Sequence, residues 1–292
     1  MKDLKLNSIQ DLKKEGKSFY WASFFLPKKT KRNAGILYSI CRYFDDRADK
    51  EKNNQAKFLN QSIEEIKKNQ KNEINIFLKK NNINILVFGD LIKGLIKDQS
   101  QFKINNKEDL ILYSYHVAGT VGLMMSQIIG VTKKESASSA IDLGIAMQMT
   151  NIARDVYEDA KMNRIYLPSD WIPNINLKTL NNNYISQNDH KIISEAVHKL
   201  INLSELFYKN GFAGLKYIPF KARLGIYIAA NVYRGIGIKI KKNGNQYVTQ
   251  RIYVNFFEKL LITLKSILLF IFMPLLNYKY IKIRKDLPNE NL

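Results

Sequence analysis

Apolar positions along this chain recur at helical spacing, and almost no stretch alternates as a strand would. Ser8-Ile9-Gln10-Asp11 has the form of a capping box and marks a helix start. The apolar stretch 19–26 stops at Pro27, and the spacing then predicts a long helix over 30–50. Further helices are predicted over 59–68, 86–96, 107–130, 136–160, 190–210 and 222–240. Residues 69–73 and 81–84 read as loops around a short apolar turn at 74–78. The longest aperiodic stretch, 167–188, carries Pro168, Pro173 and an Asn run at 181–183; a loop of that length is often functional. No fixed-period repeat and no Pro/Gly/Ser linker breaks the pattern. It predicts an all-α protein with a main domain over 1–253, then an amphipathic and apolar helix with a basic tail over 254–292.

At 292 residues, 46% hydrophobic and 25% charged, the composition is that of a soluble globular protein of one large domain. A lone Cys41 excludes a disulfide framework and a cysteine zinc site. His116, His190 and His198 lack the paired spacing and third ligand that a zinc hydrolase needs. The glycine motifs G-x-x-x-x-G-K-[ST], G-x-G-x-x-G and G-x-S-x-G are all absent. Met1-Lys2-Asp3-Leu4-Lys5 carries no apolar signal region, which predicts a cytoplasmic protein.

The net charge of +20 points to nucleic acid, an anionic membrane surface or an anionic substrate. No basic-aromatic nucleic-acid module is recognisable, so no nucleic-acid partner is expected. Only nine of the 46 bases are Arg, and Arg42, Arg47, Arg154 and Arg164 sit in or beside two acidic clusters. A guanidinium is what bidentate phosphate binding requires.

Tyr38, Arg42, Asp45 and Asp49 stand at offsets 0, 4, 7 and 11 and so share one side of a helix. Gln148, Asn151, Asp155 and Asp159 repeat the layout at 0, 3, 7 and 11. Two carboxylates one turn apart repel by about 0.2–0.5 kcal/mol. Repeating that on two otherwise apolar helices, with amides and Arg nearby, implies a bridging cation rather than two solvated faces with local Asp–Arg pairs. Hard oxygen ligands without His or Cys suit Mg²⁺, with Mn²⁺ as the other candidate, bound through carboxylates and substrate phosphates. The expected metal ligands are Asp45, Asp49, Asn151, Asp155 and Asp159, with Arg42 and Arg154 on phosphate oxygens.

These clusters resemble the two aspartate-rich motifs of the squalene and phytoene synthase family, the head-to-head prenyl synthases. The first is Asp45-x-x-x-Asp49 preceded by Tyr38 and Cys41-Arg42; the second is Gln148-x-x-Asn151-x-x-Arg154-Asp155-x-x-x-Asp159. Lys17-Ser18-Phe19-Tyr20 resembles the family's N-terminal flap, and 115–122 (YHVAGTVG) its central helix. Residues 163–168 (NRIYLP) resemble the segment after the second motif and 230–234 (ANVYR) a late helix, so the likeness spans roughly 17–242. The stretches 122–125, 143–146 and 167–171 are most similar to the bacterial phytoene synthase branch.

The resemblance implies a single-domain isoprenoid synthase type I helical fold around a central cavity. It implies condensation of two geranylgeranyl diphosphates to phytoene through prephytoene diphosphate, with no NADPH. The alternative is a farnesyl diphosphate enzyme making squalene, dehydrosqualene or presqualene diphosphate. Catalysis would then fall to Asp45, Asp49, Asp155, Asp159, Tyr38 and Arg42. Substrate binding would fall to Ser18, Phe19, Arg42, Tyr115, Gln148, Asn151, Arg154, Arg164 and Tyr233. The flap aromatics Phe19, Tyr20, Trp21 and Phe24 are candidates to line the cavity, as is Asp98, while His116 is expected in the core. Asp46, Arg47 and Glu158 fall off the shared faces. Downstream carotenoid enzymes are the implied protein partners.

Residues 256–265 are amphipathic and run into an apolar stretch at 267–276, followed by Lys279, Lys282, Arg284 and Lys285. The run is shorter than the roughly 20 residues of a membrane span, and Lys265 and Pro274 interrupt any longer one. An interfacial helix with basic flanks, peripheral on the cytoplasmic membrane, is expected; the alternative is a final helix packed on the core.

Overall fold

Asn72, Asn84, Asn106, Ser186 and Asn255 each turn a side-chain oxygen onto the first free backbone amides of a helix. These caps fix where several elements of the computed structural model begin. It describes residues 10–50, 55–99, 103–131, 133–182, 185–243, 251–272 and 278–290. Ser8-Ile9 of the expected capping box, Asn183 and the 273–276 end of the apolar run lie outside them.

In chain order the helices are α1 (Gln10–Lys14), α2 (Lys17–Ser23), α3 (Lys28–Lys50), α4 (Gln55–Lys68), α5 (Glu73–Lys80), α6 (Ile85–Asp98) and α7 (Lys107–Ser114). There follow α8 (Thr120–Ile129), α9 (Ala137–Lys161), α10 (Leu177–Leu180), α11 (Gln187–Ala213), α12 (Phe220–Lys242) and α13 (Phe256–Ile271). No strand occurs among the described residues. The expected turn at 74–78 is a full helix, α5, because Asn72 caps it and Ile74, Phe77 and Leu78 bury one side of it. The expected continuous helix over 107–130 is instead α7 and α8 joined by a π-helical turn, Tyr115–Gly119, which inserts an extra residue.

α9 is central, packing on α8, α11 and α12. Ile141, Ile145 and Met149 on it are wholly buried. Gly122 and Gly144 let backbone meet backbone there: a Cβ on either would overlap the carbonyl oxygen of Ala140 or Ala118. α13 lies antiparallel along α12. Lys239 near the end of α12 pairs with Glu258 at 2.7 Å, and Phe220 at its start meets Phe270 at 5.7 Å between ring centroids.

Residues 278–290 fold back on the core, which takes Arg284 out of the expected basic flank while Lys279, Lys282 and Lys285 stay exposed. Arg284, read as a membrane-facing cation, is buried: it donates to Asp142 of α9 at 2.5 Å and to Glu290 at 2.8 Å. Asn210 of α11 bonds both the amide and the carbonyl of Ile281. Ile252 and Val254 share one core with Tyr278, Ile283 and Leu287, so packing is continuous across the expected boundary at 253/254. Removing one partner of a buried ion pair strands the other charge. Arg284→Ala should therefore cost about 3–5 kcal/mol in urea unfolding. A loss under about 1 kcal/mol, typical of an exposed pair, would show that Arg284 does not hold this segment down.

Candidate active site

α3 buries Leu37, Ile40, Phe44 and Ala48 on one side, which turns Asp45 and Asp49 to the other. α9 does the same with Met149, Ile152, Ala153 and Val156, presenting Asn151, Asp155 and Asp159, although its backbone departs from helical dihedrals at Asp155. Both acidic faces line one cavity of about 1040 Å³. Asp98, at the end of α6, enters the same space. Arg164 donates to Asp49 at 2.7 Å and lies 3.6 Å from Asp98, so one guanidinium spans α3 and α6. The Tyr166 hydroxyl donates to Asp98 at 2.7 Å while its ring stacks on Tyr113 at 4.8 Å. Leu95, Val117, Val121, Met125, Leu143 and Met147 make much of the remaining wall apolar.

Arginines occupy the carboxylates. Arg42 pairs with Asp45 at 3.2 Å and Asp46 at 2.7 Å. Arg154 forks onto Asp155, with Nε to Oδ1 at 2.8 Å, and Arg251 reaches the same carboxylate at 2.9 Å. Positive charge is still short. Burial, then neighbouring Asp49, pushes Asp45 up to about 6; burial, then neighbouring Asp155, pushes Asp159 up to about 8.

Two buried atoms are orphaned at this spot: Asn151 Oδ1, an acceptor, and Arg42 Nε, a donor. A cation answers the first and an anion the second. Among the described residues no three acidic, His or Cys side chains converge to hold a metal alone. An ion here would draw further ligands from phosphate oxygens and water, as Mg²⁺ does, so the all-oxygen donor set fits it. Burial holds the Tyr38 and Tyr233 hydroxyls protonated, and the Tyr233 ring meets Phe19 at 4.8 Å. Ser18 and Gln148 also line the cavity, the latter accepting from Asn151 Nδ2 at 3.4 Å.

Residues 12–258 match the sequence profile described as Squalene/phytoene synthase. The chain belongs to that family. A 15-cis-phytoene synthase from Enterobacter agglomerans is 34% identical over 264 residues, 84% of this chain and 88% of that protein. Another from Pantoea ananas is 31% identical over 283 residues, 89% of this chain and 90% of that protein. A dehydrosqualene synthase solved with a ligand superposes with a TM-score of 0.77 at 26% identity, covering 89% of this chain and 93% of that one. Squalene synthase HpnC from Alicyclobacillus acidocaldarius shares the fold, with a TM-score of 0.69 at 19% identity over 80% of this chain and 90% of its own. Squalene/phytoene synthases are prenyltransferases that use prenyl diphosphates and generally need a divalent metal.

Of the residues matched to the family motifs, Tyr115 falls outside the cavity. It is wholly buried, and its hydroxyl donates to Asp90 at 3.0 Å and to the Pro288 carbonyl. Tyr113, two residues earlier on α7, lines the wall instead. Trp21 also turns away from the cavity, donating to Thr263 at 2.9 Å, and Phe24 faces outward. His116 is a core histidine, its Nδ1 3.1 Å from the Asp90 carbonyl. Arg47 lies over the Tyr43 and Phe58 rings at 5.5 and 5.6 Å. Sequence reading missed Tyr113, Tyr166 and Arg251 as cavity residues. Tyr166 lay within a matched segment, whereas nothing in the pattern around Arg251 singles it out.

Asp45 and Asp159 hold protons more tightly folded than unfolded, so the metal-free protein should lose stability as pH rises from about 4 to about 8. A cation that displaces those protons restores it, with proton release. The rise in melting temperature given by Mg²⁺ should therefore grow between about pH 6 and about pH 8. A Mg²⁺ effect independent of pH would show that these carboxylates are not its ligands.

Proposed function

We propose that this chain is a phytoene synthase: it joins two geranylgeranyl diphosphates head to head, through prephytoene diphosphate, and releases both diphosphates. What carries the reading is the pairing of two acidic helix faces with an apolar cavity. At about 1040 Å³ the cavity lies at the top of the roughly 300–1,000 Å³ range of pockets that hold drug-sized molecules, as two long prenyl chains require. The 15-cis-phytoene synthases at 34% and 31% identity support the same product.

Breaking the allylic C–O bond leaves a diphosphate whose charge must be neutralised. Mg²⁺, held by Asp45, Asp49, Asn151, Asp155 and Asp159, would supply Lewis-acid neutralisation of that leaving group. Arg42, Arg154, Arg164 and Arg251 all line the cavity, where their forks match phosphate oxygens. Tyr38 and Tyr233, kept protonated by burial, donate hydrogen bonds to the same group. The apolar wall, with Phe19 against Tyr233, keeps water from the allylic cation. Loss of a proton from the last cation gives phytoene, so no NADPH is consumed. The likeness to a dehydrosqualene synthase favours, as second reading, the same chemistry on farnesyl diphosphate.

The hydrocarbon product suits a chain that works at a membrane surface and hands on to downstream carotenoid enzymes. Among the described residues no helix is long and apolar enough to cross a membrane.

Incubation with Mg²⁺ and each diphosphate separately, followed by mass spectrometry of the extract, decides the substrate. A C40 hydrocarbon with a conjugated triene at its centre, formed from geranylgeranyl diphosphate, supports the proposal; product from farnesyl diphosphate only overturns it. Asp45→Asn, Asp49→Asn, Asp155→Asn and Asp159→Asn should each lower turnover by about 100-fold or more with helical content intact. Near-normal rates in any two would defeat the two-cluster mechanism. Arg42→Lys and Arg154→Lys should each cost about tenfold, since a point charge cannot replace a fork.

A further inference from the structure

The cavity runs along α9. Asp159, Asp155, Asn151, Met147, Gly144 and Ala140 all line it, spaced so that they share one face of the helix. That face carries acids at one end, then an amide and a methionine, and small residues at the other. A Cβ on Gly122 would meet the Ala140 carbonyl, and one on Gly144 the Ala118 carbonyl, so α8 runs antiparallel to α9. Met125 and Ile129, which also line the cavity, therefore lie at the end away from the acids.

Helix rise gives the depth. At about 1.5 Å per residue, Met147 lies about 12 Å from Asp155, Gly144 about 16 Å and Ala140 about 22 Å. Carbon–carbon bonds of about 1.5 Å carry an extended chain forward by about 1.25 Å each. The three-unit farnesyl chain then extends about 14 Å and the four-unit geranylgeranyl chain about 19 Å. The diphosphate stands between the carboxylates and the first carbon. Three units thus end near Gly144, and the fourth reaches Ala140.

Most small residues at that end are fixed by the packing. A Cβ on Gly122 or Gly144 would come within 2.2 or 2.3 Å of a backbone carbonyl oxygen, and one on Gly214 within 2.4 Å of Ser139 Cβ. Ala140 differs. It lines the cavity and is only half-buried although α9 is the central helix, so carbons added to its side chain enter the cavity.

We propose that Ala140 is the length-determining residue: the fourth isoprene unit of a C20 chain packs on its methyl group, in space that a larger side chain would remove. The assignment rests on the reading of the protein as a synthase acting on prenyl diphosphates.

The test is calorimetric binding, in Mg²⁺, of unreactive thiolo-diphosphate analogues of geranylgeranyl and farnesyl diphosphate. Wild type, Ala140→Val and Ala140→Phe are compared, with circular dichroism as the check on folding. One carbon more or less in an apolar pocket changes discrimination by about 10- to 200-fold. Preference for the C20 over the C15 analogue should therefore fall at least about tenfold in Ala140→Val, and further in Ala140→Phe. The loss should sit in the C20 analogue, because the C15 chain stops short of Ala140. Ala140→Val adds only two carbons and keeps the test decisive if Ala140→Phe does not fold. An unchanged preference, or equal loss of both analogues, overturns the assignment. With the two diphosphates in competition, the same variants should shift turnover from C40 product towards shorter hydrocarbons. Binding in the expected order without turnover of any prenyl diphosphate leaves the role of Ala140 standing and removes the synthase reading. Turnover of geranylgeranyl diphosphate with a preference that neither substitution alters does the reverse.

Discussion

Carboxylates from three helices, Asp45 and Asp49 on α3, Asp98 on α6 and Asp155 and Asp159 on α9, face one cavity, and their mutual repulsion is what the scaffold must withstand. Helices free to slide would separate them. α9 cannot slide: glycine contacts press its backbone against α8, and Asp142, earlier on the same helix, is locked to Arg284. α3 is held by a side of wholly or nearly buried apolar residues, and Arg164 clamps it to α6. Burial first, and then repulsion that cannot relax by movement, appears as proton affinity, hence the raised Asp45 and Asp159 carboxyls. It also makes the arginines counter-ions to the motif itself. On the proposed reading, cations arriving with diphosphate take over the carboxylates, and the freed guanidinium forks turn to phosphate oxygens. The same side chains thus balance the site before and after substrate arrives.

How much of this was legible depended on whether the signal was periodic. The acidic faces were, because offsets of 7 and 11 residues survive in any straight helix. The long helices were for the same reason. Tyr115 was not, because its hydroxyl is taken by Asp90, 25 residues away, a contact that no local pattern reports. Helix α5 was hidden by its length, and only the Asn72 cap distinguishes it from a loop. Arg284 and Arg251 were illegible for the reason that hid Tyr115. Their partners, Asp142 and Asp155, lie 142 and 96 residues away, and no local pattern reports a contact of that range.

The positive surplus divides by residue type. Of nine arginines, four line the cavity, Arg284 is buried in ion pairs, and Arg234 chelates Glu205 at 2.8 Å. Arg223 donates to the carbonyls of Lys216 and Ile218, and Arg47 covers two aromatic rings. These are fixed, planar contacts of the kind a guanidinium makes and an ammonium does not. The surplus lies chiefly with lysines, whose long stems let a charge stay in water while the stem covers apolar surface. Lys31 does this over Phe24. The net charge of +20 therefore divides by the kind of contact each cation makes. Arginine charge is held in fixed pairs with carboxylates, carbonyls and rings, while lysine charge stays largely at the surface, in water.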